Sequence, residues 1–418
     1  MPVPYLYPAA PLDTLHLGHP CSTNPTRWGH HLGHCLPAYS PTTFAIRWCH
    51  RHKYECIAAI IPHVATIRNV KLEYDIPYYP ISTASLNALG TSPSLESLEF
   101  GIGPSDFHLD DAIHMPRIRQ IRCHVKDSAT ADFLHFMSKL NAPLLQELEV
   151  QFLLCTMADI APIMQALSCS RASDTLLRLS LNFKSCHRKR WDVHEQQQLA
   201  DFLRPLFALS QLERLAVRCP TSHGDTPPCN RLIRCGTPDL AAVARAFPAA
   251  TALSLTAFTF STEAGPRAVS PSPMPPGALA HFARGCPRLR TLELDAALDA
   301  SCTWSAFARG AGAVRADHPL QILGVRLGAP AQYVGCDVGA CAAFLHALFP
   351  NMDVPRQRVR ACREQPEAAD VWDAVLDAVR ARQRGAREGL FVDGDADSLV
   401  LDRFEDGERI ADWATLCG

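Results

Sequence analysis

Ala283-Arg-Gly-Cys-Pro-Arg-Leu289-Arg-Thr-Leu292-Glu-Leu294-Asp295 is the stretch on which the fold of this chain turns. Its apolar residues follow one pattern: Leu289, two variable positions, Leu292, one variable position, Leu294. Leu292 and Leu294 are two apart, so on a strand they face the same way. One short strand cannot bury that face alone, but a stack of like strands can. The question is then whether the pattern recurs. Working outward, it does. Towards the C-terminus come Leu320, Leu323 and Val325, then a degenerate Phe349, Met352 and Val354. Towards the N-terminus lie Ala250, Leu253 and Leu255; Leu212, Leu215 and Val217; Leu176, Leu179 and Leu181; and Leu145, Leu148 and Val150. Before these stand Ile118, Ile121 and Cys123; Leu95, Leu98 and Phe100; Ile67, Val70 and Leu72; and Leu12, Leu15 and Leu17. From Ile67 onward successive copies lie roughly 23 to 39 residues apart.

Helical periodicity fills the spaces between copies. Asp132–Leu140, Leu199–Leu209, Leu240–Phe247, Leu279–Arg284 and Phe344–Phe349 each carry apolar residues at helical spacing. Pro143, Pro248, Pro287 and Pro350 follow four of them and mark exits towards the next strand. Strand, loop and helix repeated in this way predict an α/β leucine-rich-repeat solenoid. Its parallel sheet would lie on the concave side and its helices on the convex side. A doubly wound sheet or a TIM barrel also alternates strand and helix, but each needs longer apolar strands. No Gly-x-Gly-x-x-Gly or Gly-x-x-x-x-Gly-Lys follows a strand.

The segment Ala283–Asp295 resembles the cysteine-containing leucine-rich repeat of F-box proteins. Pro93-Ser-Leu-Glu-Ser-Leu-Glu-Phe100 and Pro143-Leu-Leu-Gln-Glu-Leu-Glu-Val150 resemble it too. Over residues 41–354 the chain is similar to the divergent F-box-associated leucine-rich-repeat proteins of mushroom-forming fungi. The resemblance implies a substrate receptor of a cullin-type ubiquitin ligase. An F-box would be a helical segment opening with Leu-Pro and a Leu-Leu-x-x-Ile-like stripe; no such segment is found in residues 1–60, which are rich in Pro, His and Trp and already hold a repeat-like strand at Leu12. A ligase adaptor is therefore expected as partner only if an F-box stands upstream. The alternative is a leucine-rich-repeat scaffold without a ligase link.

Composition bounds the remaining possibilities. At 47% hydrophobic and 20% charged residues, the chain is too apolar for disorder. A net charge of −2 recruits neither nucleic acid nor anionic lipid, and no apolar run is long enough for a membrane helix. No secretory pattern opens the sequence. The 17 Cys are odd in number and scattered through apolar stretches, as in Phe152-Leu-Leu-Cys155 and Ala340-Cys-Ala342. They read as reduced, buried thiols, which points to the cytoplasm or nucleus. Residues 1–40 form a Pro- and His-rich segment with one degenerate repeat, and 41–354 the array. Residues 355–418 make a cap helix and an acidic tail. Pro-rich insertions at 219–238 and 261–277 read as exposed loops. Val371, Trp372, Val375, Leu376 and Val379 give the cap helix (Glu367–Arg384) its apolar stripe. Arg380, Arg382, Arg384 and Arg387 give it a solvated basic end.

Constellations that could carry chemistry fall short of a site. Cys21, His30, His31, His34, Cys35, Cys49, His50, His52 and Cys56 are dense, yet lack a Cys-x-x-Cys pair and sit among Gly29, Gly33 and Pro37. Cys219, Cys229 and Cys235 are sparser still. Asp393-Gly-Asp-Ala-Asp397 opens like a calcium loop, but Ser398 and Phe404 occupy the positions that need Gly and Glu. Cys186 and His187 are adjacent and would point apart, and no Gly-x-Ser-x-Gly occurs. Neither an enzyme nor a cofactor nor a metal is expected.

What remains is a surface. The variable strand residues point away from the apolar face, and they change charge along the series. Gln120, Arg122, His124, Arg178, Arg214, Arg218 and Arg326 alternate with Glu147, Glu149, Glu293 and Asp295. Asn69, Lys71, Glu73, Ser97, Glu99, Gln151, Ser180, Asn182, Ser254, Thr256 and Thr291 complete it. Such a face predicts a protein ligand on the concave side rather than a nucleic acid or a membrane. Leu292 should matter greatly for folding, and Glu293 hardly at all.

Overall fold

The structure is a computed structural model. It describes residues 14–17, 42–48, 67–74, 83–103, 112–126, 129–153, 157–184, 197–218, 233–256, 258–260, 274–298, 318–327, 337–357 and 369–388. The chain forms two compact units, Met1–Gln197 with Asp201–Ile233, and Gln198–Ala200 with Arg234–Gly418.

The first unit contains β1 (Thr14–Leu17), β2 (Thr43–Trp48), β3 (Asn69–Tyr74), β4 (Ser97–Ile102), β5 (Ile113–His114), β6 (Gln120–Val125), β7 (Leu140–Asn141), β8 (Glu147–Phe152) and β9 (Arg178–Phe183). Strand β10 (Gln197–Gln198) stands where the two units divide, and β11 (Arg214–Arg218) belongs to the first. Its helices are α1 (Thr83–Gly90), α2 (Thr130–Lys139) and α3 (Met157–Cys169), and α4 (Leu199–Leu203) stands at the division. In spatial order β1, β2, β3, β4, β6, β8, β9 and β11 form one all-parallel sheet. β5 pairs with β7 apart from it.

Register explains the burial. Leu98, Ile121, Leu148, Leu179 and Leu215 are aligned neighbours, as are Phe100, Cys123, Val150, Leu181 and Val217. All ten are buried. Helix α2 covers this face. Phe133, Phe136 and Met137 recur at helical spacing and are buried, with Asp132 in the first turn and Lys139 in the last, as the helix dipole favours. Phe136 meets Phe100 edge-on at 5.4 Å, and Phe133 meets Phe152 edge-on at 5.4 Å.

The second unit carries β12 (Ile233–Cys235), β13 (Ala252–Thr256), β14 (Thr259–Phe260), β15 (Thr291–Leu298) and β16 (Ile322–Leu327). Its helices are α5 (Thr237–Ala246), α6 (Gly277–Gly285), α7 (Val338–Leu348) and α8 (Ala369–Arg387). β13, β15 and β16 pair in parallel, with Leu253, Leu292 and Leu323 aligned. β12 pairs with β14.

A four-residue turn opens the repeats, and it gives the prolines a second task. In Met115-Pro-Arg-Ile118, Ala142-Pro-Leu-Leu145, Phe247-Pro-Ala-Ala250, Cys286-Pro-Arg-Leu289 and Phe349-Pro-Asn-Met352 the last amide donates to the first carbonyl. The distances are 3.3, 3.1, 3.1, 3.0 and 3.2 Å. Proline's fixed φ suits the second position of such a turn. The first residue of each turn is buried. At Cys286 the thiol also lies 3.4 Å from the Ala244 carbonyl and 3.5 Å from that of Phe247, at the end of α5. Burial pushes this thiol up to about 12, so it is an inert packing group.

Four sequence expectations change. Strand β2 escaped the triplet search because Pro41 stands where β3 has Ile67, although Phe44 and Ile46 align with Val70 and Leu72. Phe349, Met352 and Val354 are buried as the pattern requires but form no strand. The Asp353 amide begins pairing on the Gln321 carbonyl at 2.9 Å, after which the chain turns into a short helical segment. From that segment the buried Gln357 accepts from the Leu323 amide at 3.1 Å and donates to the Leu323 carbonyl. A side-chain amide thus occupies backbone groups on the edge of β16, a position that would otherwise invite another strand. Residues 219–238 and 261–277 are not simply exposed loops, for Ile233–Cys235 is a buried strand and Met274 and Pro276 are buried. Finally, α8 does not have a wholly solvated basic end, because Arg382 is buried and reaches the Gly339 carbonyl at 3.5 Å.

Two predictions arise in the second unit. Gly285 ends α6 where a Cβ would lie 2.8 Å from the Ala244 carbonyl oxygen and 2.9 Å from its carbon. Gly285→Ala should therefore destabilise by about 1–3 kcal/mol in urea denaturation, reversing the usual gain of Ala over Gly in helices. The second concerns acid. His346 on α7 is held below its ordinary pKa by burial and by Arg382 opposite, and its Nδ1 is buried without a hydrogen-bond partner. His281 on α6 is lowered in the same direction by burial, then by Arg284 and Arg245. The folded state thus binds fewer protons than the unfolded chain. Their contribution is present above an unfolded pKa of about 6.5 and is lost as pH falls below it. Melting temperature should fall between about pH 7 and pH 5, and His346→Gln should flatten that slope.

Candidate functional site: the polar face of the sheet

The same period of two that buries one set of strand residues presents the other set on the opposite face. In the first unit this face is a grid of side chains aligned by strand register. Its first row runs Thr43, Asn69, Ser97, Gln120, Glu147, Arg178 and Arg214. The second runs Ala45, Lys71, Glu99, Arg122, Glu149, Ser180 and Ala216. The third includes His124, Gln151, Asn182 and Arg218.

Hydrogen bonds run along the first row. Asn69 Nδ2 donates to Thr43 Oγ1 at 3.2 Å, Ser97 Oγ to Gln120 Oε1 at 3.1 Å, and Gln120 Nε2 to Glu147 Oε1 at 2.8 Å. Arg178 Nη1 closes on the other oxygen of Glu147 at 3.3 Å. The second row alternates in charge. Lys71 lies 3.8 Å from Glu99, and Arg122 lies 3.2 Å from Glu149. His124 reaches diagonally to Glu99 at 3.3 Å. The His124 hydrogen bond holds the Glu99 carboxyl below the ordinary range; burial opposes this, and Lys71 and Arg122 reinforce it.

The expected site residues therefore divide. Gln120, Glu147 and Arg178 are joined along the first row, Arg122 pairs with Glu149, and His124 pairs with Glu99. The charges that read as a mosaic along the sequence meet one another across strands, so much of their potential is internally balanced. Arg214 and Arg218 stand at the two ends of β11. Both are exposed on β11, and Arg214 is aligned with Arg178. Ser180 and Ala216 are small and half-buried between these arginines. In the second unit, Glu293 accepts from Ser254 Oγ at 2.7 Å. The backbones of Asp295 and Arg326 lie on β15 and β16, and their side chains fall outside what the structure describes.

Other candidates resolve more simply. The His- and Cys-dense stretch 21–56 lies almost wholly outside the described residues. Cys219, Cys229, Cys186, His187 and Asp393–Asp397 lie outside them too. Cys235 is buried, and burial with the nearby Asp239 raises its thiol. Among the described residues, no three His, Cys, Asp or Glu side chains gather as a metal-ligand set. Among them too, no helix is long and apolar enough to cross a membrane.

His318 is a structural residue that the sequence reading passed over. It is buried, its Nδ1 accepts from the Leu320 amide at 3.3 Å, and its Nε2 lies 3.2 Å from the Cys286 carbonyl. The accepting Nδ1 places the proton on Nε2, which donates to Cys286. The signal was its place before Pro319, matching Cys286 before Pro287.

No protein-family model matches the sequence, and no curated protein matches it either.

Proposed function

We propose that the chain is a protein-recognition module built as a leucine-rich-repeat solenoid, with the polar face of its parallel sheet as the concave binding surface. The observation that carries this reading is the set of side-chain bonds from Thr43 to Arg178, pre-ordered by strand register and half-exposed. A surface whose polar groups are already held in place loses less entropy when a partner docks. Alternating charge suits a mixed-charge protein better than a uniform polyanion.

The role we assign is substrate recognition for an F-box-type ubiquitin ligase, acting without cofactor or turnover. The buried Cys286 thiol, placed against carbonyls at the end of the preceding helix, supports the likeness to cysteine-containing repeats. The full chain with Arg214→Glu and Arg218→Glu should lose captured partners about ten-fold or more while its melting temperature hardly moves. Exposed charges contribute little to folding, whereas reversal meets the partner with repulsion. Quantitative mass spectrometry of proteins captured by the two forms measures this. Unchanged capture would refute the polar-face reading. Co-precipitation of a cullin adaptor subunit tests the ligase role separately, and its failure leaves a recognition scaffold.

A further inference from the structure

A second charged feature lies away from the sheet face, at the end of the second unit. Helix α8 presents Arg380, Arg384 and Arg387 at positions i, i+4 and i+7, so all three lie on one side. They border a cavity of about 520 Å³ whose opposite wall is Gln321 and the segment Asn351–Pro355. All three are exposed, and no guanidinium among them makes a hydrogen bond or ion pair with a described residue. Asp353 is the one acid on the wall, and its carboxylate is engaged with the Arg356 amide at 3.1 Å. Gln383 fixes the floor by donating to the Pro350 and Met352 carbonyls, each at 2.9 Å. The C-terminal end of the helix dipole offsets part of the positive charge, but the dipole lies along the axis and leaves the row of guanidinium groups open.

We propose that this groove binds an extended acidic peptide, and that its occupant is the chain's own segment Asp393-Gly-Asp-Ala-Asp397. Spacing favours it. In an extended chain, carboxylates two residues apart share a side and stand about 6.6–6.8 Å apart. Arg380 and Arg384 are separated by about 6 Å of helix rise, and Arg384 and Arg387 by about 4.5 Å. Reach favours it as well. Four residues lie between Glu388 and Asp393, and the five steps from one to the other span up to about 17 Å, enough for the chain to double back along α8. Exposed ion pairs are individually weak. Tethering raises the effective concentration of the segment to the order of millimolar, which an unlinked acidic peptide would have to match.

The test is hydrogen exchange on the full chain in four forms. These are the natural sequence; Arg380→Glu, Arg384→Glu and Arg387→Glu together; Asp393→Arg, Asp395→Arg and Asp397→Arg together; and all six. Amides of 392–398 should exchange about ten-fold slower in the natural chain than in either triple variant, and slow exchange should return in the sixfold swap. Raising salt to about 0.5 M should speed exchange in the natural chain and in the sixfold swap, and not in either triple variant. Equal exchange in all four forms overturns the proposal, as does a sixfold swap that fails to restore protection. Should reversal near the end of α8 unfold the helix, seen as lost protection at 372–379, Arg384→Gln and Asp395→Asn replace the triple variants. Each should then speed exchange at 392–398, and no change in either overturns the proposal.

Discussion

Phe152→Ala should destabilise the first unit by about 3–5 kcal/mol, the largest loss expected from any single truncation considered for it. Phe152 ends β8 fully buried, stacked on Phe183 at 5.1 Å and 12°, and meets Phe133 of α2 edge-on at 84°. Truncation leaves a cavity between a sheet and its covering helix. It also removes two aromatic contacts, each contributing roughly 0.5–1.5 kcal/mol beyond area burial. Both neighbours are held by backbone hydrogen bonds, so the site can collapse only in part. Phe152→Leu should recover a large share of the loss, because it refills volume without restoring the ring contacts. Gln151→Ala, one residue away on the polar face, should change stability little. Urea denaturation followed by circular dichroism gives all three values, and similar losses for Gln151→Ala and Phe152→Ala would contradict the facing of β8.

Leu292→Ala should cost about 2–5 kcal/mol in the second unit. Leu292 is fully buried between Leu253 and Leu323, its aligned neighbours on β13 and β16, and both of these are fully buried too. Its loss is felt across all three strands. Glu293 is the instructive comparison, since the sequence alone makes it almost dispensable for folding. In the structure it accepts from Ser254, whose side chain is itself buried. Removing the acceptor leaves that hydroxyl poorly satisfied, so Glu293→Ala should cost about 1 kcal/mol instead of nothing, and Glu293→Gln should recover most of it. Melting curves of the three variants separate the two effects by size.

The parallel strands were legible because their signal is local. An apolar residue every second position fixes which side of a strand is buried, whichever strand lies beside it. Ten strands of the parallel pairing match triplets read from the sequence, and the helical spacing of Phe133, Phe136 and Met137 identified α2. β2 was missed for an equally local reason, namely Pro41 in the first apolar position.

By itself, then, the sequence determined the α/β class with its parallel strands, the buried set of most strands and the set turned outward. Tertiary structure decided which outward groups meet. Glu147 receives both Gln120 and Arg178 because register aligns residues 27 and 31 positions away. It also decided that Arg382 is buried while Arg380 and Arg384 stay exposed, and that Gln357 ends the pairing at β16. The physical reason is range. Burial of a strand face follows from its own spacing of apolar side chains. An ion pair, a capped edge or a buried arginine exists only after segments distant in sequence are placed within about 3–4 Å of each other.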